Sequence, residues 1–277
     1  MIDQQIEITD EQRQIFERDG VVHIPNAVSE DRVEQIRSIA DQVLASPSHF
    51  AGDTLNDDDR TTPGRNFTDR YLWRHNDDVR DFVVNSGVAA IAGQLLDTDS
   101  VRFYFDHLLV KEPGTPDPTP WHQDIGYWPF LGRQIASVWV SASDLTTADS
   151  NLEFIRGSHH WGKYFTPKAF TTASVWAEDN DGDTLPNIDN HRDDYDIISH
   201  DVNAGDAVVF SAWIVHGAPG NAGPNRRAAL STRWLGDDTV WSPRPASDPT
   251  VTQADTTAQP GAYPADDDRF PLIWSRC

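Results

Sequence analysis

In Pro120-Trp121-His122-Gln123-Asp124-Ile125-Gly126-Tyr127-Trp128-Pro129-Phe130, a histidine and an aspartate stand two positions apart within a run rich in aromatic residues. On an extended segment, residues i and i+2 leave the same face, so His122 and Asp124 can grip one ion. The surrounding sequence favours extended structure. Residues 101–111, 136–144, 152–155, 207–213 and 228–235 follow period two and are separated by Gly, Pro, Asn and Asp clusters. Short strands punctuated in this way predict a β-sandwich or barrel.

Before residue 100 the apolar period becomes helical. Thr9 is expected to cap a helix that runs through Phe16 and stops at Gly20, and Val21-Val22-His23-Ile24 reads as a short strand. Ser29 caps a second helix with Val33, Ile36, Ala40, Val43 and Leu44 at helical spacing and Glu30 and Asp31 in its first turn. A third helix is expected over residues 78–96, with Val79, Phe82, Val83, Ile91 and Leu95 on its apolar side. Such stripes pack on a sheet of their own protein. The polar stretch 163–204 reads as an insertion. Within it Asp179, Asp181 and Asp183 alternate like a calcium loop, but Gly182 is misplaced and Asn190 stands where a bidentate glutamate belongs, so a solvated acidic loop is expected. The segment from Trp241 is irregular in pattern, with Phe270, Pro271, Leu272, Ile273 and Trp274 available to anchor its end. The expectation is one domain over 1–277: a mainly helical part to residue 100, a strand-rich core over 101–236, and an irregular segment over 237–277.

His-x-Asp alone is a weak signal. It gains weight from His216, which a distant strand must deliver, and from Arg227 eleven positions later, beyond Gly217, Pro219, Gly220 and a Gly223-Pro224 turn. Two imidazoles and one carboxylate suit a divalent transition metal and leave coordination positions open, as in the non-haem Fe(II) oxygenases. A hairpin of that length predicts His216 and Arg227 on neighbouring strands facing one interior. A guanidinium there suits the far carboxylate of a chelating 2-oxo diacid. Arg227 is preferred to Arg226, because neighbours on a strand face opposite ways.

The stretch 120–130 resembles the metal-binding segment of the phytanoyl-CoA dioxygenase-like group of Fe(II)/2-oxoglutarate oxygenases. Trp139, the run Asp149-Ser150-Asn151-Leu152-Glu153-Phe154-Ile155, and Arg156-Gly157-Ser158-His159 are similar to further family segments, although Arg156 replaces a proline and Leu152 directly follows Asn151. Gly205-Asp206-Ala207-Val208-Val209-Phe210, His216-Gly217 and Arg227 match its closing strands in order. The resemblance runs from about residue 10 to residue 233. It implies a double-stranded β-helix, or jelly roll, with N-terminal helices packed on one sheet and the metal in its mouth. It also implies Fe(II) held by His122, Asp124 and His216, 2-oxoglutarate held by Arg227, and O2 as the oxidant. The expected reaction is hydroxylation of a small molecule with release of succinate and CO2. Related halogenases carry a small residue at the carboxylate position, so Asp124 argues against halogenation; desaturation, epoxidation and ring formation would use the same residues.

Further pocket residues follow with less to select them. Trp128 and Trp139 are candidates to wall the cosubstrate site, and Lys111, one of very few lysines, to meet a carboxylate. Arg65, Asn66, Tyr71, Trp73 and Arg74 mix cations with aromatics and form a candidate grip for an anionic substrate, against the alternative of a solvated, ion-paired loop. His159 and His160 resemble a structural turn of the family more than metal ligands.

The formal net charge of -22, from Asp+Glu 44 against Lys+Arg 22, repels polyanions and argues against nucleic acid and anionic membranes as partners. It also disfavours a polyphosphate ligand such as an acyl-CoA and favours a free small molecule. Dense carboxylates are equally consistent with high-salt adaptation and with a merely soluble surface. No stretch approaches the roughly 18 apolar residues of a membrane span, the first residues lack signal-peptide character, and the single cysteine, Cys277, precludes an internal disulfide. A cytoplasmic protein is therefore expected. Oligomeric state is left open. Two other classes fit parts of the pattern: a cupin-like hydrolase or isomerase, which has no need of Arg227, and a noncatalytic jelly-roll binding module, which needs neither ligands nor arginine.

Overall fold

A computed structural model describes residues 6–54, 64–146, 150–167, 182–245 and 247–276. Helix α1 spans Asp10–Asp19, and the cap expected at Thr9 is reciprocal: its hydroxyl accepts from the Gln12 amide while the Gln12 side chain accepts from the Thr9 amide. The helix ends at Gly20, where φ is 81° and an added Cβ would lie 2.4 Å from His159 Nδ1. Glycine is required there by both backbone and neighbour. Strand β1 (Val21–Ile24) follows, then α2 (Glu30–Ala45), which buries Val33, Ile36, Ile39, Ala40 and Val43. The expected third helix is two. Asn76 caps α3 (Asp77–Asn85), Gly87 at φ 85° breaks the rod, and α4 (Val88–Leu95) resumes it.

The strands are β2 (Gly52–Asp53), β3 (Asn66–Arg70), β4 (Ser100–Lys111), β5 (Thr119–His122), β6 (Phe130–Leu131), β7 (Ile135–Ser141) and β8 (Glu153–Ile155). They continue as β9 (Ile197–Ser199), β10 (Ala207–Ser211), β11 (His216–Ala218), β12 (Arg227–Leu235), β13 (Val240–Trp241) and β14 (Leu272–Ser275). An eight-stranded sheet has the order β1-β10-β7-β12-β4-β3-β2, with β14 also paired to β4. Facing it is a four-stranded sheet, β5-β11-β8-β9. All pairings between these named strands are antiparallel, and the arrangement is the expected jelly roll. Part of the polar stretch 163–204 is not an excursion, because β9 completes the smaller sheet. Of the aspartates weighed as a calcium loop, Asp179 and Asp181 lie outside the described residues, while Asp183 pairs with Lys163 at 3.1 Å. Cys277 and Asp149 also lie outside them.

Period two decides where each strand residue goes. On β12, Ala228, Leu230 and Trp234 join the core made with the helices, whereas Ala229 packs with Trp139 and Phe154 between the sheets. Arg227, Ser231 and Arg233 share the Ala229 face. Both faces of β12 are buried along its whole length, so its polar residues are interior.

The connection from β11 to β12 corrects a sequence expectation. His216 and Arg227 are not on neighbouring strands of a hairpin: β11 belongs to the smaller sheet and β12 to the larger. Residues 219–226 carry the chain between the sheets and are pinned at several points. Pro219 O accepts from Lys111 Nζ at 2.7 Å and from Ser150 Oγ at 2.9 Å. Asn221 N donates to Thr115 O, and Asn221 Nδ2 donates to Lys111 O and Asn225 O.

Candidate metal centre and its cleft

His122 closes β5 and Asp124 begins the next turn, so the alternation that brings both to one side sends Gln123 to the other. There Gln123 donates to Trp213 O at 2.6 Å and accepts from the Phe165 amide at 3.1 Å, which holds the segment in place. On β11, His216 is the direct register partner of His122. The two rings are 4.2 Å apart between centroids. His122, Asp124 and His216 each offer a ligand atom, and these atoms lie within 4.8 Å of one another. The three groups predicted from sequence therefore converge.

Their chemistry fits a divalent metal. Each ring approaches a backbone carbonyl through Nδ1, His122 to Pro120 O at 2.7 Å and His216 to Ile214 O at 3.1 Å. A carbonyl only accepts, so both Nδ1 atoms carry hydrogen and both Nε2 atoms keep a lone pair for a metal. Burial, followed by the neighbouring His122 charge, pushes the His216 pKa down to about 3, so its ring is neutral as a ligand must be. Burial alone would raise the Asp124 pKa, but the adjoining His122 and His216 rings and the Arg233 guanidinium outweigh it, and the carboxyl is held below its ordinary range. Ser137 Oγ donates to Asp124 Oδ2 at 2.9 Å, leaving Oδ1 on the His122 side, 3.7 Å from Nε2. Phe210 and Phe154 flank the His216 ring at 4.7 and 5.8 Å.

The wall of the larger sheet that faces this centre is unusual in its polar bookkeeping. His107 Nε2, Trp139 Nε1, Arg227 Nε and Nη2, Ser231 Oγ and Arg233 Nε are all buried without a hydrogen-bond partner among the described residues. Register places them together: Ser231 pairs with His107 on one side and with Trp139 on the other, and Arg227 pairs with Lys111. Buried polar groups in folded proteins are nearly always satisfied. A concentration of exceptions beside a metal-ligand triad is the signature of a ligand cleft.

Arg227 is fully buried, its guanidinium 5.1 Å from the centre of the Trp139 ring. Burial lowers its pKa to about 10, which leaves it a cation. Lys111 is not a surface strand end: it is 1% exposed, and burial followed by the Arg227 charge pushes its pKa down to about 6. Arg226, one residue away, turns outward to Asp41 and Glu112. The preference for Arg227 thus has a geometric counterpart. Trp128 lies elsewhere, among Tyr104, Phe105 and the Arg233 guanidinium.

The stretch Arg65 to Arg74 is not a loop at its start but strand β3, and its residues part ways. Arg65 sits on the Phe67 side and is bound to Asp53. Arg74 stacks 4.5 Å over Tyr71, and Tyr71, buried at φ 58°, directs its hydroxyl to Asp248 and Tyr104. Trp73 packs edge-on against Phe103. Only Asn66 of the candidate set, with Thr68 and Arg70, takes the alternate positions that line the cleft side next to Lys111, Leu109 and His107. His107, Ser137, Ser231 and Arg233 escaped the sequence reading. Their only signal is polarity on strands that burial shows to be interior. His159 and His160 both bond Glu17 O and hold the end of α1.

Comparisons with known proteins agree with this geometry. The family described as Phytanoyl-CoA dioxygenase (PhyH) matches residues 16–229. A "Probable phytanoyl-CoA dioxygenase" of Caenorhabditis elegans is 22% identical over 247 residues, covering 82% of this chain and 75% of that one. Among solved structures, the non-heme alpha ketoglutarate dependent carbocyclase SnoK from nogalamycin biosynthesis superposes with a TM-score of 0.74 at 21% identity, covering 97% of each chain. The epimerase SnoN, in complex with Fe3+, alpha ketoglutarate and nogalamycin RO, gives 0.70 at 22% identity, covering 96% of this chain and 98% of that one. Among the described residues, no helix is long and apolar enough to cross a membrane.

Proposed function

The chain belongs to the phytanoyl-CoA dioxygenase family of Fe(II)/2-oxoglutarate-dependent oxygenases, and from that membership we propose that it hydroxylates a small molecule and releases succinate and CO2. The observation that carries the reading is the pairing of a His122, Asp124 and His216 cluster with a buried Arg227 that has no ion pair among the described residues. His122, Asp124 and His216 would hold the iron, through two Nε2 atoms and Asp124 Oδ1. Iron, when bound, supplies activation of dioxygen and oxidation of an unactivated carbon.

The remaining work falls to this chain's own residues. Ser137 orients Asp124. Arg227 receives the distal carboxylate of 2-oxoglutarate on its free Nε and Nη2 edge, a fork matched to two oxygens. Lys111 adds a second nitrogen donor beside it, and Trp139 lies against the guanidinium. Val208 and Phe210 of β10 and Phe154 of β8 pack as an apolar wall beside the cleft. SnoK and SnoN, as a carbocyclase and an epimerase, illustrate that this fold serves several outcomes; hydroxylation is favoured here because it asks only that a C–H bond be placed beside the metal. A hydrolase or isomerase would leave Arg227 without a task.

The test is anaerobic. Protein mixed with Fe(II) and 2-oxoglutarate is expected to show a weak visible charge-transfer band that is absent in Asp124→Ala and weakened in Arg227→Ala. A wild-type protein that binds both yet shows no band would end the reading. Release of succinate across a panel of small metabolites then leads to the substrate.

A further inference from the structure

A chain with a formal net charge of -22 and only 22 cationic side chains places Arg70, Lys111, Arg227 and Arg233 around one cleft. Lys111, Arg227 and Arg233 have no ion pair among the described residues, and Arg70 has only a 3.3 Å contact with Asp248. These basic side chains form two groups. Arg227 and Lys111 are register partners, with Trp139 under the guanidinium. Arg233 stands toward the other end of β12, its guanidinium 4.8 Å from the Phe105 ring centre and 6.0 Å from that of Trp128. Trp139 and these two aromatics belong to different apolar clusters. One cosubstrate accounts for the first group only.

The cleft is open along β3 and β4, from the Arg227 row to the His107 row that precedes Arg233. Along β3 and the end of β4, Asn66, Thr68, Arg70, His107 and Leu109 are partly exposed, while the alternating Phe67, Asp69, Leu108 and Val110 are buried. The open positions are those on the cleft side, so solvent reaches the cleft across β3 and β4. His107 is the register partner of Arg70 and Ser231. Its Nε2 is buried and has no partner among the described residues, as is true of Arg233 Nε. Arg233 spends Nη1 on Ser231 O at 2.7 Å, which fixes the plane of its fork.

We propose that this end of the cleft binds the primary substrate by a carboxylate, held by Arg233 and His107 with Arg70 at the rim. The planar edge of a guanidinium matches two carboxylate oxygens, and a neutral ring nitrogen adds a third contact. Phe105 and Trp128 supply an apolar wall for the organic body of the same molecule. The substrate class is therefore a small organic acid, oxidised at a carbon that its anchored carboxylate holds beside the metal ligands. The inference rests on the oxygenase reading, but its test does not.

Metal-free protein at constant ionic strength is titrated with benzoate and propionate, and in parallel with benzamide and propionamide, with melting temperature as the readout. The acids are expected to raise it and the amides to leave it unchanged. Arg233→Gln, and separately His107→Leu, are expected to weaken acid binding by about tenfold or more. Arg227→Gln is expected to retain acid binding. In the anaerobic Fe(II) protein, Arg233→Gln is expected to bind 2-oxoglutarate within about twofold of wild type, a small change beside the loss of a charged hydrogen bond. Amides that bind as well as acids, acids without effect on wild type, or acid binding lost in Arg227→Gln and kept in Arg233→Gln would each overturn the proposal. So would a loss of 2-oxoglutarate affinity in Arg233→Gln as large as its loss of acid affinity, which would assign Arg233 to the cosubstrate. A wild type without the charge-transfer band but with acid stabilisation that depends on Arg233 supports the anchor and removes only the oxygenase reading.

Discussion

The two faces of β12 are made by one run of residues, yet they obey different rules. Toward the helices, Ala228, Leu230 and Trp234 are apolar and closely packed, and the one hydroxyl on that side, of Thr232, donates to Val138 O and accepts from Trp234 Nε1. Toward the smaller sheet, Arg227, Ser231 and Arg233 carry donors that find no partner among the described residues. Burying such groups costs stability. The first face holds the fold together, and the second spends part of that stability to keep a cleft ready for ligands.

The sharpest attempt to break this contrast is Leu230→Ala. Removing a fully buried core side chain is expected to lower unfolding free energy by about 2–5 kcal/mol, read from urea titration. The surviving folded protein is expected to keep its affinity for 2-oxoglutarate; a parallel loss of affinity would mean the two faces are not separable. Arg227→Leu should do the reverse. Cosubstrate affinity is expected to fall by roughly 10–100-fold, while the melting temperature of the metal-free protein holds or rises, because an unpaired buried cation has gone. A marked fall in melting temperature would show that Arg227 is structural.

Ser137→Ala probes the boundary between the faces, since Ser137 acts on a ligand without being one. Metal affinity, measured by competition with a chelating dye, is expected to drop by about tenfold without a change in fold. The smallest effect is a pH trend. Lys111 has a folded pKa of about 6, below the value near 10.4 of an unfolded chain. Between those values only the unfolded state binds the proton, so the residue's destabilising effect is full below about pH 6 and fades as pH rises toward 10. Lys111→Met is therefore expected to raise the melting temperature of metal-free protein most at pH 6 and progressively less at pH 8 and 9.5. A gap that does not narrow would place Lys111 in a wetter setting.

Much of this was legible in the sequence where local chemistry decides the structure. Thr9, Gly20 and the stripe on α2 announce their helices, because caps and period depend on near neighbours. His122, Asp124 and His216 were legible because few residue types ligate a metal and their order is informative. What failed was long-range. Gly87 was passed over inside an apolar pattern that continues on both sides of it. The turn after His216 looks like a hairpin, and nothing local says that its second strand joins another sheet. Strand β3 was hidden because the polar side of its alternation, Asn66, Thr68 and Arg70, reads equally as a cleft grip and as a solvated loop. Arg233, Ser231 and His107 were missed for the same reason: alternation tells which residues share a side, not whether the polar side is outside.

The crossing between β11 and β12 has one more effect. Its eight residues, 219–226, join a metal-ligating strand to the strand that opens with Arg227, and the hydrogen bonds of Pro219 and Asn221 prevent them from stretching. The crossing thus ties the two sheets together covalently between His216 and Arg227. Inserting a residue there is expected to bulge the crossing and loosen the Lys111 and Asn221 bonds before it moves His216 or Arg227, which their own sheets hold.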